Sequence, residues 1–429
     1  MKFALINPRW SFDGSIYFGC KDHHLPLELG YSKQILEQSG HETLLIDGHQ
    51  DDLTEAEIVA QIDAFDADIV VLTTANSYLF WRCAQPELRV PLLLTEQLQF
   101  SSRFLVAVGP HASTTPRATI HKLNVDAVVL GECEEILPLF GQGKDSLGSI
   151  PSIAYRDHQE IRIQGRPRAS NMTALPALQW EDSFVKKHKH HHHRFDARTN
   201  RPGAEMEASR GCPYHCTFCA KENFRDNYRK RPLQKILDEI DGLIRQDVEY
   251  IYFIDEIFLP DEKLLRSLLP RNLRFGIQTR IDLWSTELLE LLGKAGCVSL
   301  EAGVESITPE GREALDKKCR LTTQQLAEKL ICAKQNIPFV QANLLESQAD
   351  APEDVEQWRH YLIGRGVWAN EPVPLFPYPG SPEYTRLWGT PDDYAWERAQ
   401  NYYMKTFEQF SDIQEQKPLS LHELEAAPR

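Results

Sequence analysis

The chain has 429 residues, 42% of them hydrophobic, and 62 Asp and Glu against 47 Lys and Arg leave a formal net charge of −15. That length suits two or three domains of about 100–200 residues each, and the acidic balance argues against a broad nucleic-acid footprint. No stretch approaches the ~18–20 consecutive apolar residues of a membrane span, and nine cysteines without an export signal fit a reducing cytoplasm.

The opening run, Met1 to Pro8, reads as a buried strand rather than a leader. Strands are predicted at 2–6, 43–46, 69–73, 104–108 and 127–130. Helices are predicted between them at 27–38, 55–65 and 91–100. Short apolar strands alternating with amphipathic helices imply an α/β unit, a flavodoxin- or Rossmann-like parallel sheet over residues 1–140. Ligands of such sheets sit beyond the carboxyl ends of the strands. Residues 141–203 read as a connector, with recurring Gly and Pro and a possible hairpin at 153–163. It contains Lys186-Lys187-His188-Lys189-His190-His191-His192-His193-Arg194. This tract is either a solvated basic loop or a cationic lip that meets an anionic substrate. Metal binding is disfavoured beside so many lysines.

A short strand at 204–208 leads into Arg210-Gly211-Cys212-Pro213-Tyr214-His215-Cys216-Thr217-Phe218-Cys219. Three thiolates spaced C-x3-C-x2-C can hold three irons of a four-iron cluster and leave the fourth without a protein ligand. Catalytic metal sites keep such a vacancy, whereas structural zinc closes its shell with four ligands. His215 lies inside the loop, but no second C-x2-C follows. The other six cysteines (Cys20, Cys83, Cys133, Cys297, Cys319, Cys332) read as ordinary buried thiols.

Beyond the loop, Leu233, Ile236, Leu237, Ile240 and Ile244 predict an amphipathic helix over 233–245. Strands follow at 250–254, 274–279, 298–302, 339–344 and 373–376, with helices at 286–295, 323–335 and 353–363. About six βα units make a partial (β/α)6 barrel over 204–384, whose strand-end loops hold the active site. A polar helical extension, 385–429, carries Trp396, Tyr402, Tyr403, Phe407 and Phe410, which can pack over the barrel mouth. Arg225, Arg229, Lys230 and Arg231, interleaved with Phe224 and Tyr228, read either as solvated charges or as a second anion-binding element.

With Phe218 before the last cysteine, the loop resembles the C-x3-C-x-aromatic-C motif of the radical S-adenosylmethionine (SAM) enzymes. The resemblance implies a [4Fe-4S] cluster on Cys212, Cys216 and Cys219, SAM at the open iron, and reductive cleavage to a 5′-deoxyadenosyl radical. It also implies SAM contacts from Phe218, from Asp255 and Glu256 to the amino group, and from Arg280 to the carboxylate. Glu301 and Glu305 would meet the ribose, and Asn343 would stand near adenine. Structural alternatives stand beside these: Arg280 pairing with Asp282 or Glu301, and Glu305 capping a turn through Ser306 and Thr308.

The first 140 residues resemble the cobalamin-binding domain that precedes many radical SAM cores. The resemblance rests on Leu25-Pro26-Leu27-Glu28-Leu29-Gly30, Thr73-Thr74-Ala75-Asn76-Ser77, Val108-Gly109-Pro110-His111 and Leu130-Gly131-Glu132. It implies cobalamin contacts at Leu27, Gly30, Thr74, Ser77, Gly109, Pro110, His111, Gly131 and Glu132. A generic flavodoxin-like domain is the alternative. Asp47-x-His49-x-x-Asp52 imitates a cobalt-ligating D-x-H-x-x-G motif but lacks its Gly and follows the second strand, so it reads as coincidence. Pro377-Tyr378-Pro379-Gly380-Ser381 resembles the closing motif of cobalamin-binding members.

The expected function is a cobalamin-dependent radical SAM methyltransferase acting on an unactivated carbon of a small molecule, with a donor such as flavodoxin or ferredoxin. Non-methylating rearrangement, cyclisation or oxidation is the first alternative. A cobalamin-binding sensor or carrier with a structural cluster is the second.

Overall fold

The computed structural model describes residues 1–16, 22–77, 84–99, 102–188, 201–221, 225, 227–406 and 418–426. Cys20, Cys83, Phe224, Phe407, Phe410 and the tract from Lys189 to Arg194 lie outside the described residues.

Seven strands form the first sheet: β1 (Lys2–Asn7), β2 (Glu42–Asp47), β3 (Ile69–Thr73), β4 (Phe104–Val108), β5 (Ala127–Val129), β6 (Ile153–Asp157) and β7 (Glu160–Gln164). Their order is β2-β1-β3-β4-β5-β6-β7. The first five run parallel, and β6 joins β5 antiparallel, with Ala127 opposite Tyr155. Alternation decides the faces. Phe3, Leu5, Val71 and Val106 enter one core, while Ala4, Ile6, Val70, Leu72 and Leu105 enter the other. The hairpin expected inside the connector therefore completes this sheet instead. Without it, the short, fully buried β5 would be an unpaired edge.

The second sheet holds β8 (Gly203–Met206), β11 (Tyr250–Phe253), β12 (Arg274–Thr279), β13 (Cys297–Glu305), β14 (Phe339–Leu344) and β15 (Trp368–Ala369). All six run parallel in the order β15-β14-β13-β12-β11-β8. The two ends do not pair, so the barrel is open. A separate antiparallel pair, β9 (Ser209–Arg210) with β10 (Arg229–Lys230), brackets the cysteine loop. Ala204, Ile251, Phe253, Ile277, Leu300 and Val340 share one core with Ile236 and Ile240 of the helix Leu233–Arg245. The sixth strand lies at Trp368–Ala369, not at 373–376. Pro372, Pro374 and Pro377 remove backbone donors there, and only a single bridge, Leu345 to Val373, survives.

The helix Leu27–Gln38 docks the two sheets: Leu27 and Tyr31 sit in the barrel core, and Leu29 and Leu36 in that of the first sheet. The extension straps both. In the helix Ala395–Thr406, Trp396 joins the first core while Ala395, Ala399 and Tyr403 pack on Phe376 and Tyr384. In the helix Leu421–Glu425, Glu425 binds Lys122 at 2.8 Å. Among the described residues no helix is long and apolar enough to cross a membrane.

Glu28, buried on the docking helix, accepts from Ser77 Oγ at 2.9 Å, and its other oxygen has no partner. Burial raises its carboxyl from 4.5 to about 7, with the Ser77 bond pulling the other way. A folded-state value above the unfolded one means that the folded chain holds this proton more tightly. Its stabilising effect is full below about pH 4.5 and is lost as pH rises through 7. Glu28→Gln should then be more stable than the parent at pH 8, by on the order of 1–3 kcal/mol, and nearly equal at pH 4.5. Urea unfolding at the two pH values checks this, and equal differences at both would contradict it.

Candidate active site

The cysteine loop begins with a turn that only glycine makes easily. Gly211 has φ +78°, and a Cβ there would stand 2.2 Å from Asn227 O. Its N–H donates to Glu256 Oε2 at 2.7 Å. Lys221 Nζ donates to Cys212 O at 2.6 Å, and Thr217 N–H donates to Leu315 O at 3.0 Å. The loop is thus tied to the barrel on both sides.

The three cysteines line one cavity of about 420 Å³ at the carboxyl ends of the barrel strands. Phe218, Glu256, Arg280, Glu305 and Asn343 line it too. Burial raises all three thiols, Cys219 to about 12. Among the described residues no group of three or more His, Cys, Asp or Glu is arranged around a single metal ion. Three thiols on one cavity wall suit three corners of a four-iron cluster.

Arg280 makes the pair with Asp282 that is its structural alternative. Its Nε and Nη2 donate to Asp282 at 3.1 and 2.8 Å, and its guanidinium lies 3.9 Å from the Tyr214 ring centroid. These contacts hold the fork while Nη1 stays buried without a partner. An orphaned guanidinium N–H calls for an acceptor, and a ligand carboxylate suits it. Glu305 takes a left-handed conformation, φ +67°, and pairs with Lys317 at 3.0 Å. A Cβ on Gly303 would lie 2.6 Å from Glu305 Oε1, so that glycine makes room for the carboxylate. The following turn is capped by Thr308, and Asp350 accepts from Ser306 Oγ at 2.8 Å and Ile307 N–H at 3.0 Å. The capping role considered for Glu305 is therefore filled by other side chains.

Asp255 and Glu301 are absent from the cavity wall. Asp255 points back: it accepts from Ala208 N–H at 2.9 Å and from Ser209 Oγ, so it braces the approach to the loop. Glu301 sits deeper, in register between Gln278 and Gln341. Lys221, Lys317 and Tyr214 join the wall without any motif having flagged them.

In the first domain, Thr74 and His111 stand at the ends of β3 and β4: the Thr74 hydroxyl is buried without a partner, and the buried His111 ring faces the backbone of Gln85, Pro86 and Thr74. Burial lowers the His111 ring to about 3, so it is neutral, and it lies tilted by 33° against Trp396, 4.4 Å between centroids. Gln85 adds an unpartnered carbonyl oxygen nearby. These two unsatisfied oxygens fit an amide-rich ligand or ordered water. Gly109, φ +130°, starts the turn into Pro110–Thr114.

Other residues expected on the corrinoid are spent elsewhere. Leu27 is barrel core. Ser77 serves Glu28. A Cβ on Gly30 would lie 2.5 Å from the Trp180 ring, and one on Gly131 2.2 Å from Arg168 O, so both glycines admit the protein's own chain. Glu132 is saturated by arginines and Ser170 N–H. His49 accepts from Trp10 N–H at 3.0 Å, and Asp47 accepts from Asn7 at 2.7 Å, in keeping with a structural pair.

The arginines of the basic run after the loop are engaged by the protein's own carboxylates, while Lys230 is exposed. Arg225 pairs with Glu207 and Glu256, Arg229 with Glu132, Arg231 with Glu239 and Lys230 with Asp261. His188 of the His/Lys tract is buried against Gly203 O at 2.9 Å. Lys186 and Lys187 pair with Asp182 and Asp51.

Residues 206–345 match the family model described as the Radical SAM superfamily. These residues of the chain are a radical SAM domain. The fold of the chain is shared with two solved structures. It is 25% identical over 378 residues to an uncharacterized methyltransferase of Pyrococcus horikoshii, covering 85% of this chain and 77% of that protein. It is 24% identical to the anaerobic magnesium-protoporphyrin IX monomethyl ester cyclase of Rubrivivax gelatinosus, spanning 77% of this chain but only 60% of the cyclase. Among solved structures, the radical SAM methyltransferase TsrM of Kitasatospora setae, with cobalamin and a [4Fe-4S] cluster bound, superimposes with a TM-score of 0.69 at 17% identity. That match covers 89% of this chain and 76% of TsrM. The cobalamin-dependent radical enzyme OxsB gives 0.65 at 16% identity, over 84% of this chain and 51% of OxsB.

Proposed function

We propose that this chain is a cobalamin-dependent radical SAM methyltransferase acting on an unactivated carbon of a small molecule. The observation that carries the reading is one cavity that gathers three cysteine thiols and an Arg280 N–H with no acceptor. When bound, the cluster with SAM supplies hydrogen abstraction and the corrinoid supplies methyl transfer. Cys212, Cys216 and Cys219 hold the cluster. Arg280 fixes the SAM carboxylate through Nη1, and Glu256, already aligned by Gly211 and Arg225, accepts from the amino group. Glu305, held by Lys317, takes the ribose hydroxyls, and Asn343 faces adenine. Phe376, Tyr378 and Tyr403 form an apolar wall that excludes water. Thr74, His111 and the turn at Gly109 receive the corrinoid.

The test is anaerobic reconstitution with iron, sulfide and cobalamin, then turnover on a metabolite extract with methyl-labelled SAM. Label in a small-molecule product together with 5′-deoxyadenosine supports the reading. 5′-Deoxyadenosine with an unlabelled product would favour the cyclase-like alternative, which the Rubrivivax relative keeps in view.

A further inference from the structure

Glu132 follows β5 of the first domain, yet its carboxylate is held by the cysteine-loop region. Oε2 accepts from Arg210 Nη1 at 3.1 Å and Arg229 Nη1 at 3.0 Å, and Oε1 from Arg229 Nη2 at 2.5 Å. Arg225 Nε lies 3.4 Å from Oε1. Arg225 then donates to Glu207 at 3.0 Å and Glu256 at 2.7 Å, and Glu256 holds Gly211 N–H, the residue before Cys212. Arg210 closes the ring on Glu207 at 2.9 Å and Glu134 at 2.6 Å. Except for Arg229 and Glu256, these side chains have no exposed surface. Burial would raise the Glu132 carboxyl, but Arg210, Arg229 and Arg225 together hold it below its ordinary value. A buried set of this kind has little freedom, because breaking one pair strands another charge.

We propose that Glu132 is a positioning residue: through Arg225 and Arg229 it sets the cysteine loop from the first domain, so that the two cofactor-bearing surfaces keep one fixed relation. The word cofactor-bearing rests on the function proposed above. The linkage does not, since it is built of the chain's own side chains. Glu132→Gln keeps the shape and removes the charge. Hydrogen exchange on the protein without cofactors should then show amides of the segment 209–219 exchanging at least tenfold faster, although that segment lies 77 or more residues away in sequence. The control is Glu425→Gln, which loosens the strap to Lys122 and should leave that segment unchanged. If Glu132→Gln does not fold, Arg229→Lys, which keeps charge but loses the two-pronged contact, should show the same acceleration.

A second readout is electron paramagnetic resonance of the reconstituted, reduced protein, where Glu132→Gln should broaden or shift the cluster signal at unchanged iron content. Faster exchange confined to 131–136, or an equal rise in the control, overturns the proposal. Exchange coupling in a chain that takes up neither cluster nor corrinoid would leave the linkage standing and remove the functional reading instead.

Discussion

Replacing Cys219 with alanine is expected to abolish cluster assembly and SAM cleavage. Three thiolates are the smallest protein set that holds a four-iron cluster with one open corner. Removing one leaves a pair of thiols on a partly buried loop. The loss should exceed the ~10–100-fold typical of an outer-shell partner. The thiols are also raised by burial, Cys219 to about 12, so the unloaded loop keeps its protons and releases them on taking up iron. Cys212→Ala and Cys216→Ala should behave alike. Cys297→Ala and Cys319→Ala, which touch buried thiols away from the cavity, should retain full iron. Iron and sulfide analysis after anaerobic reconstitution checks the set. Full cluster content in Cys219→Ala would contradict the assignment.

Arg280→Gln should weaken SAM binding by about 10–100-fold while cluster content stays normal. A hydrogen bond to a charged group is worth ~1.5–3 kcal/mol, and each 1.4 kcal/mol is tenfold. The expectation is specific because two of the guanidinium nitrogens are already engaged by Asp282 and only Nη1 lacks an acceptor. Arg280→Lys should not rescue, since an ammonium cannot keep the Asp282 pair and reach a ligand with the same geometry. Asp282→Asn separates the effects: it loosens the fork and should cost less than removing it. Anaerobic calorimetry with SAM measures all three. Unchanged affinity in Arg280→Gln would assign Arg280 to Asp282 and Tyr214 alone.

Much of the fold was legible because local period and packing agree. The helices Leu27–Gln38, Glu55–Phe65 and Leu233–Arg245 have the bounds their apolar spacing predicts, as do β4, β12 and β14. The cysteine spacing carried the site, and Glu256, Arg280, Glu305 and Asn343 lie on its wall. What was not legible depends on partners distant in sequence. Asp255 and Glu256 are adjacent at a strand end, and nothing local says which one turns toward the cavity. Arg225, Arg229 and Arg231 look solvated until the barrel's own Glu207 and Glu239, and Glu132 from the first domain, are brought against them. Gly30 and Gly131 signal close approach, but the approaching groups are Trp180 and Arg168, far along the chain. The last strand was misplaced because apolar residues between prolines imitate a strand without its donors.

The measurement that bears most directly on the central claim is electron paramagnetic resonance of the anaerobically reconstituted, reduced protein, before and after adding SAM labelled with nitrogen-15 at its amino group. A four-iron signal that shifts with SAM and shows coupling to the labelled nitrogen is expected, in protein that also retains a corrinoid. Zinc in the cysteine loop, or a four-iron signal indifferent to SAM, would contradict it.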